Sequence, residues 1–508
     1  MPEQYKAFII IALIAIAVTK FAQPSLTDIV PGAQLKQWRN IWLGTSAMAF
    51  LLPGFWLFII ATAIFLHSYA KKRESDTPAL YLLLVCAIPP YGLGIPGLGI
   101  INYFFTLNYV RLLSLVILLP AFLTLMHDRN TLRPFATKTD KLLLLFLLLT
   151  VMLQLRDTTV TDTLRQAFYA FIDIFLPYFV LSRSLRTPQQ FKTAIAAFLF
   201  AATLSASIGI FEFIKHWLLY SSLPHIWQIS TNGSYLNRGT SLRAYASYGG
   251  PIVFGYAMAI AIGLYAYIAA GITDKTGRRN GLLVLMAGLL ASISRGPWVG
   301  ALVMFVAFIA TGQKAMQRIA RLAAIGILLL VLLPVIPGGG KFLNVLPFIG
   351  HIDSDTINYR QRLFHNGWIV IQRNPLFGSV NVLKTPEMLS MVQGQGIIDL
   401  VNSYLAIALF YGIIGLLLFS SFFISILARV NHARQQFLAA PELALLGRSL
   451  LATMIGVLII IATVSSIDLI PTLYWTLAGI GMAYSLLPDS LHNNMSNKQE
   501  PTPVPFTV

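Results

Sequence analysis

The sequence predicts an all-α, polytopic membrane protein of about 12–14 transmembrane helices with one large loop on the outer face. Three observations carry that prediction. Hydrophobic residues make up 56% of the 508 and charged residues only 11%, less than half the usual ~25% of soluble domains. Apolar runs of about 15–25 residues recur along the whole chain, each long enough for a ~30 Å hydrocarbon core. Basic clusters, finally, fall at regular intervals between those runs. A net charge of +17 would suggest nucleic acid in a soluble chain. Here the excess sits in short loops beside spans, so no nucleic acid is expected. Cys86, the single cysteine, lies inside an apolar run, which rules out an intrachain disulfide and a cysteine metal site.

Fourteen candidate spans lie near 6–23, 42–66, 78–98, 108–126, 141–155, 164–181, 193–213, 248–271, 281–294, 297–312, 321–336, 400–427, 449–466 and 472–486. The first lacks a small-residue cleavage signal after it and reads as a retained span. Residues 1–486 therefore form one transmembrane domain, and the polar tail 487–508 reads as disordered and cytoplasmic.

Orientation follows from the basic clusters. Lys71, Lys72 and Arg73, then Arg129, Arg133 and Lys138, then Arg183, Arg186 and Lys192 each follow an even-numbered span. The same holds for Lys275, Arg278 and Arg279, for Lys314, Arg318 and Arg321, and for Arg429 and Arg434. Short loops rich in Lys and Arg stay in the cytoplasm, so both termini are expected there. Three long segments then face outward: 24–41, 214–247 with Trp217, Tyr220, Trp227, Tyr235, Arg238 and Arg243, and the polar island 337–399. The island holds Lys341, His351, Arg360, Arg362, His365, Arg373 and Lys384. Cations kept on the outer face are better explained by an anionic ligand than by topology.

Arg295, in Ser292-Ile-Ser-Arg-Gly296, sits at the outward mouth of two spans. It either snorkels to the interface or grips phosphate bidentately. Arg243 precedes a Gly-Gly-Pro helix start, where a loosely wound backbone can approach a ligand. Arg360 and Arg362 belong to an amphipathic segment whose apolar Leu363, Trp368, Ile369 and Ile371 suggest a helix on the membrane surface. Asp399 reads either as a helix cap or, beside arginines, as a general base, with His351 and His365 as alternatives. Asp173, deep in a span, needs a partner, and Glu212 is expected to pair with Lys215. No nucleotide-binding loop or HExxH motif is present, and no cofactor or metal is expected.

Four segments together resemble one family. In VNSYLAIALFYGIIG, Asn402 is followed by nine residues, Gly412, two isoleucines and Gly415. This resembles the signature of the O-antigen ligase and polymerase family. SISRGPWVG resembles that family's Ser-Arg-Gly hairpin, RAYASYGGPIVFG its arginine-to-Gly-Pro segment, and YRQRLFHNGWIVIQRNPLFG its outer-loop helix. The four pieces fall in the expected order over about residues 240–425. The family histidine falls on Val401, whose side chain can neither accept a proton nor donate a hydrogen bond. That departure points away from the ligases and toward the polymerases.

The resemblance implies a metal-independent membrane glycosyltransferase at the periplasmic face of a bacterial inner membrane. Its partners would be polyprenyl-pyrophosphate-linked oligosaccharides, membrane lipid and other polysaccharide-assembly proteins. Catalysis would fall to Asp399, Arg295 and Arg243, and pyrophosphate or glycan binding to Arg360, Arg362, His365, Asn402 and Trp368. The expected function is polymerisation of lipid-linked repeat units of exopolysaccharide, capsule or O-antigen. A glycan ligase and a lipid-oligosaccharide flippase are the other readings. A flippase, however, favours two pseudo-symmetric halves and needs no long outer island.

Overall fold

The computed structural model describes residues 2–499 apart from 71–75, 100–101, 231–235, 239–240, 313, 333–353 and 394–395. Lys71, Lys72, Arg73, Tyr235, Lys341, His351 and the tail from 500 onward lie outside the described residues. The fold is an all-α polytopic bundle. Among the described residues, eight helices are long and apolar enough to cross a membrane. They are Glu3–Leu26, Tyr109–His127, Val160–Ser184, Pro188–Lys215, Pro251–Ala269, Ser403–Gln436, Pro441–Ile461 and Leu469–Pro488. Shorter apolar helices, Phe55–Ala70 and Arg295–Ala310, pack among them.

Two expected spans are built differently. The run at 42–66 is two helices, Gly32–Leu51 and Phe55–Ala70. Pro53 removes an amide donor and Gly54 takes a φ of +87°, so the chain breaks at Leu52-Pro53-Gly54 instead of continuing. The run at 78–98 is helical only over Thr77–Leu84. Its glycine- and proline-rich second half pairs as strand Gly92–Pro96 with Tyr103–Asn108 in an antiparallel hairpin.

The extra break changes the position of the N-terminus. The indole N–H of Trp217 donates to Glu3 at 2.9 Å, and Phe50 meets Tyr220 at 5.4 Å. At the far end of the first helix, Ser25 donates to Asp274 and Thr273 to Asp28. The 24–31 turn therefore lies beside the basic Lys275–Arg279 segment, and Glu3 lies at the opposite end of the bundle, with 214–247. Both termini on one face, with 24–41 and 214–247 together on the other, is thus corrected. The C-terminal helix does run to the basic end, where Tyr484 donates to the carbonyl of Leu443.

Buried charges are partnered. Asp173 accepts from Nε and Nη2 of Arg111, the latter at 2.8 Å, and the guanidinium lies 3.8 Å over the Tyr169 ring. Asp140 pairs with Arg183 and accepts from Tyr178 at 2.7 Å. Glu212 is fully buried and does not pair with Lys215. Its carboxylate accepts backbone amides of Leu219 (3.0 Å), Tyr245 (3.0 Å) and Ala246 (2.8 Å). One acid thereby fastens the segment that follows Arg243, and three amide donors suit its four lone-pair positions.

The Ser403–Gln436 helix is kinked at Gly412, whose φ of 68° and ψ of −170° are not helical. A kink frees backbone groups, each costing about 1–3 kcal/mol if buried without a partner. The Asn-Pro-Leu-Phe-Gly segment at 374–378 supplies those partners. The amides of Ile413 and Ile414 donate to the carbonyls of Pro375 and Leu376 at 2.8 and 3.1 Å. The carbonyl of Leu409 accepts from Ser379 at 3.1 Å. Two motifs 35 residues apart thus form one joint, which fixes the outer-loop helix Ser354–Arg373 on the bundle.

Candidate functional site

The site gathers around the turn 463–468 between the last two long helices. Arg243 is almost fully buried; its Nε donates to the Ser292 carbonyl at 3.3 Å and its Nη2 to the Ser294 hydroxyl at 2.9 Å. Ser294 in turn donates to the carbonyl of Pro251 at 3.1 Å, so the hairpin before Arg295 is tied to the Gly-Gly-Pro helix start. Arg295 opens the Arg295–Ala310 helix. The next residue, Gly296, is so close to the turn that a Cβ there would lie 2.7 Å from the Thr463 hydroxyl. Arg360 reaches the same point from the outer-loop helix, with Nη2 donating to the Thr463 carbonyl at 3.1 Å. The three segments that carry these arginines therefore adjoin: Arg243 bonds the Ser292–Ser294 turn just before Arg295, Gly296 just after it packs on Thr463, and Arg360 bonds the Thr463 carbonyl.

Asp399 lies on the other side of that turn. Its Oδ1 accepts from the Ser465 hydroxyl, and its backbone exchanges bonds of 3.0 and 3.1 Å with the Tyr359 hydroxyl. Asp399 does not cap the helix. Asn402 does, accepting from the amides of Tyr404 (2.9 Å) and Leu405 (3.1 Å). Ser403 donates to the Val464 carbonyl at 2.9 Å and accepts from Ser466 at 2.7 Å, which holds the helix start against the turn.

Helix periodicity separates the remaining residues. Leu363, Val370 and Ile371 are buried against Leu405, Ala408 and Leu409, with Gly367 allowing close approach. Arg362, His365 and Trp368 are exposed, with His365 on the face opposite Leu363 and Arg362 to its side. Trp368 is thus off the face that packs on the bundle and open to its surroundings. Arg373 is committed to an ion pair with Glu387.

Sequence reasoning missed two members of the site. Asp468 lies in the turn with a φ of 50° and is exposed at its surface. Protein atoms crowded around it raise its carboxyl above the usual range. Tyr91, from the turn before the β-hairpin, lies near Asp468; burial, reinforced by the negative charge of Asp468, pushes its phenol up to about 12. Partial burial lowers the pKa of Arg360, and the Asp399 carboxylate opposes that shift. The signal was the polar run Thr-Val-Ser-Ser-Ile-Asp at 463–468, which interrupts two apolar blocks. Left-handed backbone also clusters here, at Ala246 (φ 46°), Ile293 (φ 43°) and Asp468. For a β-branched residue such as Ile293 that conformation costs of order 1–3 kcal/mol and is usual only where function over-determines it.

Among the described residues, no group of three or more His, Cys, Asp or Glu side chains is arranged to hold a metal ion. What the arrangement offers is guanidinium donors, a carboxylate and hydroxyls at the mouth of an apolar bundle. Such a mouth suits an anionic ligand with an apolar tail.

The fold and the mouth define a multi-pass helical membrane protein with an arginine-rich polar site at one end. A family model described as O-antigen ligase matches residues 281–420, and no curated protein matches the chain. Residues 281–420 are thus similar to the O-antigen ligase family, and the similarity covers about a quarter of the chain. The matched stretch includes Arg295, Arg360, Asp399, Asn402 and the Gly412 joint; Arg243 lies before it.

Proposed function

We propose that the protein polymerises polyprenyl-pyrophosphate-linked oligosaccharide repeat units, passing the growing glycan to an acceptor sugar hydroxyl at the outer face of a bacterial inner membrane. The observation that carries this reading is that the segments bearing Arg243, Arg295 and Arg360 adjoin at the 463–468 turn, to which Asp399 is also bonded through Ser465. As the acceptor hydroxyl attacks the anomeric carbon, the bond to the pyrophosphate oxygen breaks and negative charge builds on the leaving group. The arginines stabilise that charge without a metal ion. Asp399 accepts the acceptor's proton, and Ser465 and Tyr359 hold it in place. Exposed Arg362, His365 and Trp368 offer glycan contacts, with the indole available to stack on a sugar ring. Asn402 contributes by fixing the helix start.

Val401, in place of the family histidine, favours polymerase over ligase. A strain lacking the gene should accumulate single repeat units on the lipid carrier and make no long polymer. Accumulation of long lipid-linked chains that never reach a final acceptor would instead identify a ligase.

Orientation follows from the basic end. The Lys- and Arg-rich loops face the cytoplasm, the arginine mouth faces outward, and the N-terminus lies with the mouth. Alkaline phosphatase fused near residue 345 should be active, and fused near residue 277 inactive. The opposite pattern would put the arginine mouth on the wrong face for this chemistry.

A further inference from the structure

At the basic end, far from the mouth, three arginines from three helices come together. Arg448 belongs to Pro441–Ile461, Arg434 to the end of Ser403–Gln436, and Arg318 to the first turn of Ala315–Leu332. The positive charges of Arg434 and Arg318 both act on Arg448. Arg448 Nη2 donates to the Phe308 carbonyl at 2.9 Å, with its guanidinium 4.4 Å over the Phe308 ring. Arg434 Nη1 donates to the Thr311 carbonyl at 2.9 Å, and its Nη2 to Asn431 at 2.9 Å.

Two of these side chains therefore cap the end of the Arg295–Ala310 helix. Capping does not account for the charge. A helix C-terminus presents about half a negative charge, against three full positive ones. Among the described residues, no ion pair joins Arg318, Arg434 or Arg448 to a carboxylate. The surface beside the cluster is apolar and open. Leu302 and Phe305 on one helix and Ile325, on the Arg318 face of the next, are exposed. Gly312 leaves the guanidinium its space, since a Cβ there would lie 2.6 Å from Arg448 Nη2.

We propose that this corner binds the phosphate headgroup of an anionic phospholipid, with Arg318 and Arg448 gripping the phosphate and Arg434 adding charge. The acyl chains lie along the helix face that carries Arg318 and, two turns on, Ile325. Uncompensated charge bordered by exposed apolar surface is the chemistry of a lipid headgroup site, and the basic end is where a cytoplasmic leaflet concentrates anionic lipid. The site is separate from the transfer chemistry, so it stands or falls independently of the proposed function.

The test is thermal unfolding of the purified full-length chain in neutral detergent, titrated with phosphatidylglycerol, phosphatidylcholine or inorganic phosphate. Phosphatidylglycerol should raise the unfolding temperature by several degrees, and the other two should not. Arg318→Gln removes an exposed side chain that makes no hydrogen bond among the described residues, and should cut the phosphatidylglycerol shift at least by half. Arg448→Gln, added to it, should abolish the shift; if that double variant fails to fold, Arg318→Gln decides alone. An equal shift in wild type and Arg318→Gln, or a full shift from phosphatidylcholine or inorganic phosphate, would overturn the proposal.

Discussion

Arg295→Lys and Arg243→Lys should each reduce glycan transfer about 10²–10³-fold, the range for removing one preorganised donor from a water-poor site. Protein abundance should stay near wild type, because lysine keeps the charge and reaches the same depth. What it loses is the planar fork that holds two phosphate oxygens at once. For Arg243 the geometry sharpens the expectation. Its guanidinium is positioned by the Ser292 carbonyl and the Ser294 hydroxyl, and a lysine ammonium cannot hold both and still present a fork outward. In the same assay Asp399→Asn should abolish transfer while lipid-linked substrate still binds, since the amide cannot take a proton at neutral pH. Full activity in the Lys and Ala variants of both arginines would show that they merely snorkel. Near-normal turnover in Asp399→Asn with loss in His365→Ala would move the base to the histidine.

Gly412→Ala should have the largest effect on folding. A Cβ at that position would lie 2.2 Å from the carbonyl oxygen of Leu376, a backbone atom that cannot swing aside. The residue's φ of 68° and ψ of −170° lie in a region essentially restricted to glycine, which adds about 1–3 kcal/mol for any L-side chain. Moving the two segments apart would also forfeit the bonds from Ile413, Ile414 and Ser379, each worth about 1 kcal/mol. A loss above about 3 kcal/mol is therefore expected, seen as a large fall in unfolding temperature and in membrane abundance. Gly378→Ala should behave alike, with its Cβ 2.3 Å from the Leu409 carbonyl. Gly326→Ala is the control. That glycine has open space around it inside a helix, so alanine should be neutral or gain up to about 1 kcal/mol.

Much of the fold was legible because lipid simplifies the problem. Long apolar runs such as 193–213 and 248–271 mark helices directly, since an unpaired backbone is too costly in hydrocarbon. Breaks inside apolar sequence are harder to read. Leu52-Pro53-Gly54 interrupts a run whose hydropathy never drops, and overlooking it shifted the N-terminus to the wrong end. The alternation of basic clusters could not expose that error, because every cluster lies after the break and keeps its common side. In the site, Arg243, Arg295, Arg360 and Asp399 stood out as charges beside spans. The 463–468 turn, which Arg360 and Asp399 bond, did not, because serines and a single aspartate between two helices look like an ordinary connection. The roles of Asn402 and Asp399 were likewise set by one turn of geometry that spacing alone leaves open. The Gly412 joint shows the limit most clearly: its two halves are visible as motifs, but only their contact explains why both carry glycine.

The central claim is that an arginine-lined mouth transfers glycan from a lipid pyrophosphate. Its most direct test is the purified protein in lipid nanodiscs, given polyprenyl-pyrophosphate-linked single repeat units in the presence of EDTA. The account predicts a ladder of longer lipid-linked glycans, with one free polyprenyl pyrophosphate released per linkage formed. Unchanged substrate in EDTA, with a ladder restored only by Mg²⁺ or Mn²⁺, would contradict metal-free stabilisation of the leaving group by arginine. No ladder under either condition would contradict the assignment as a polymerase.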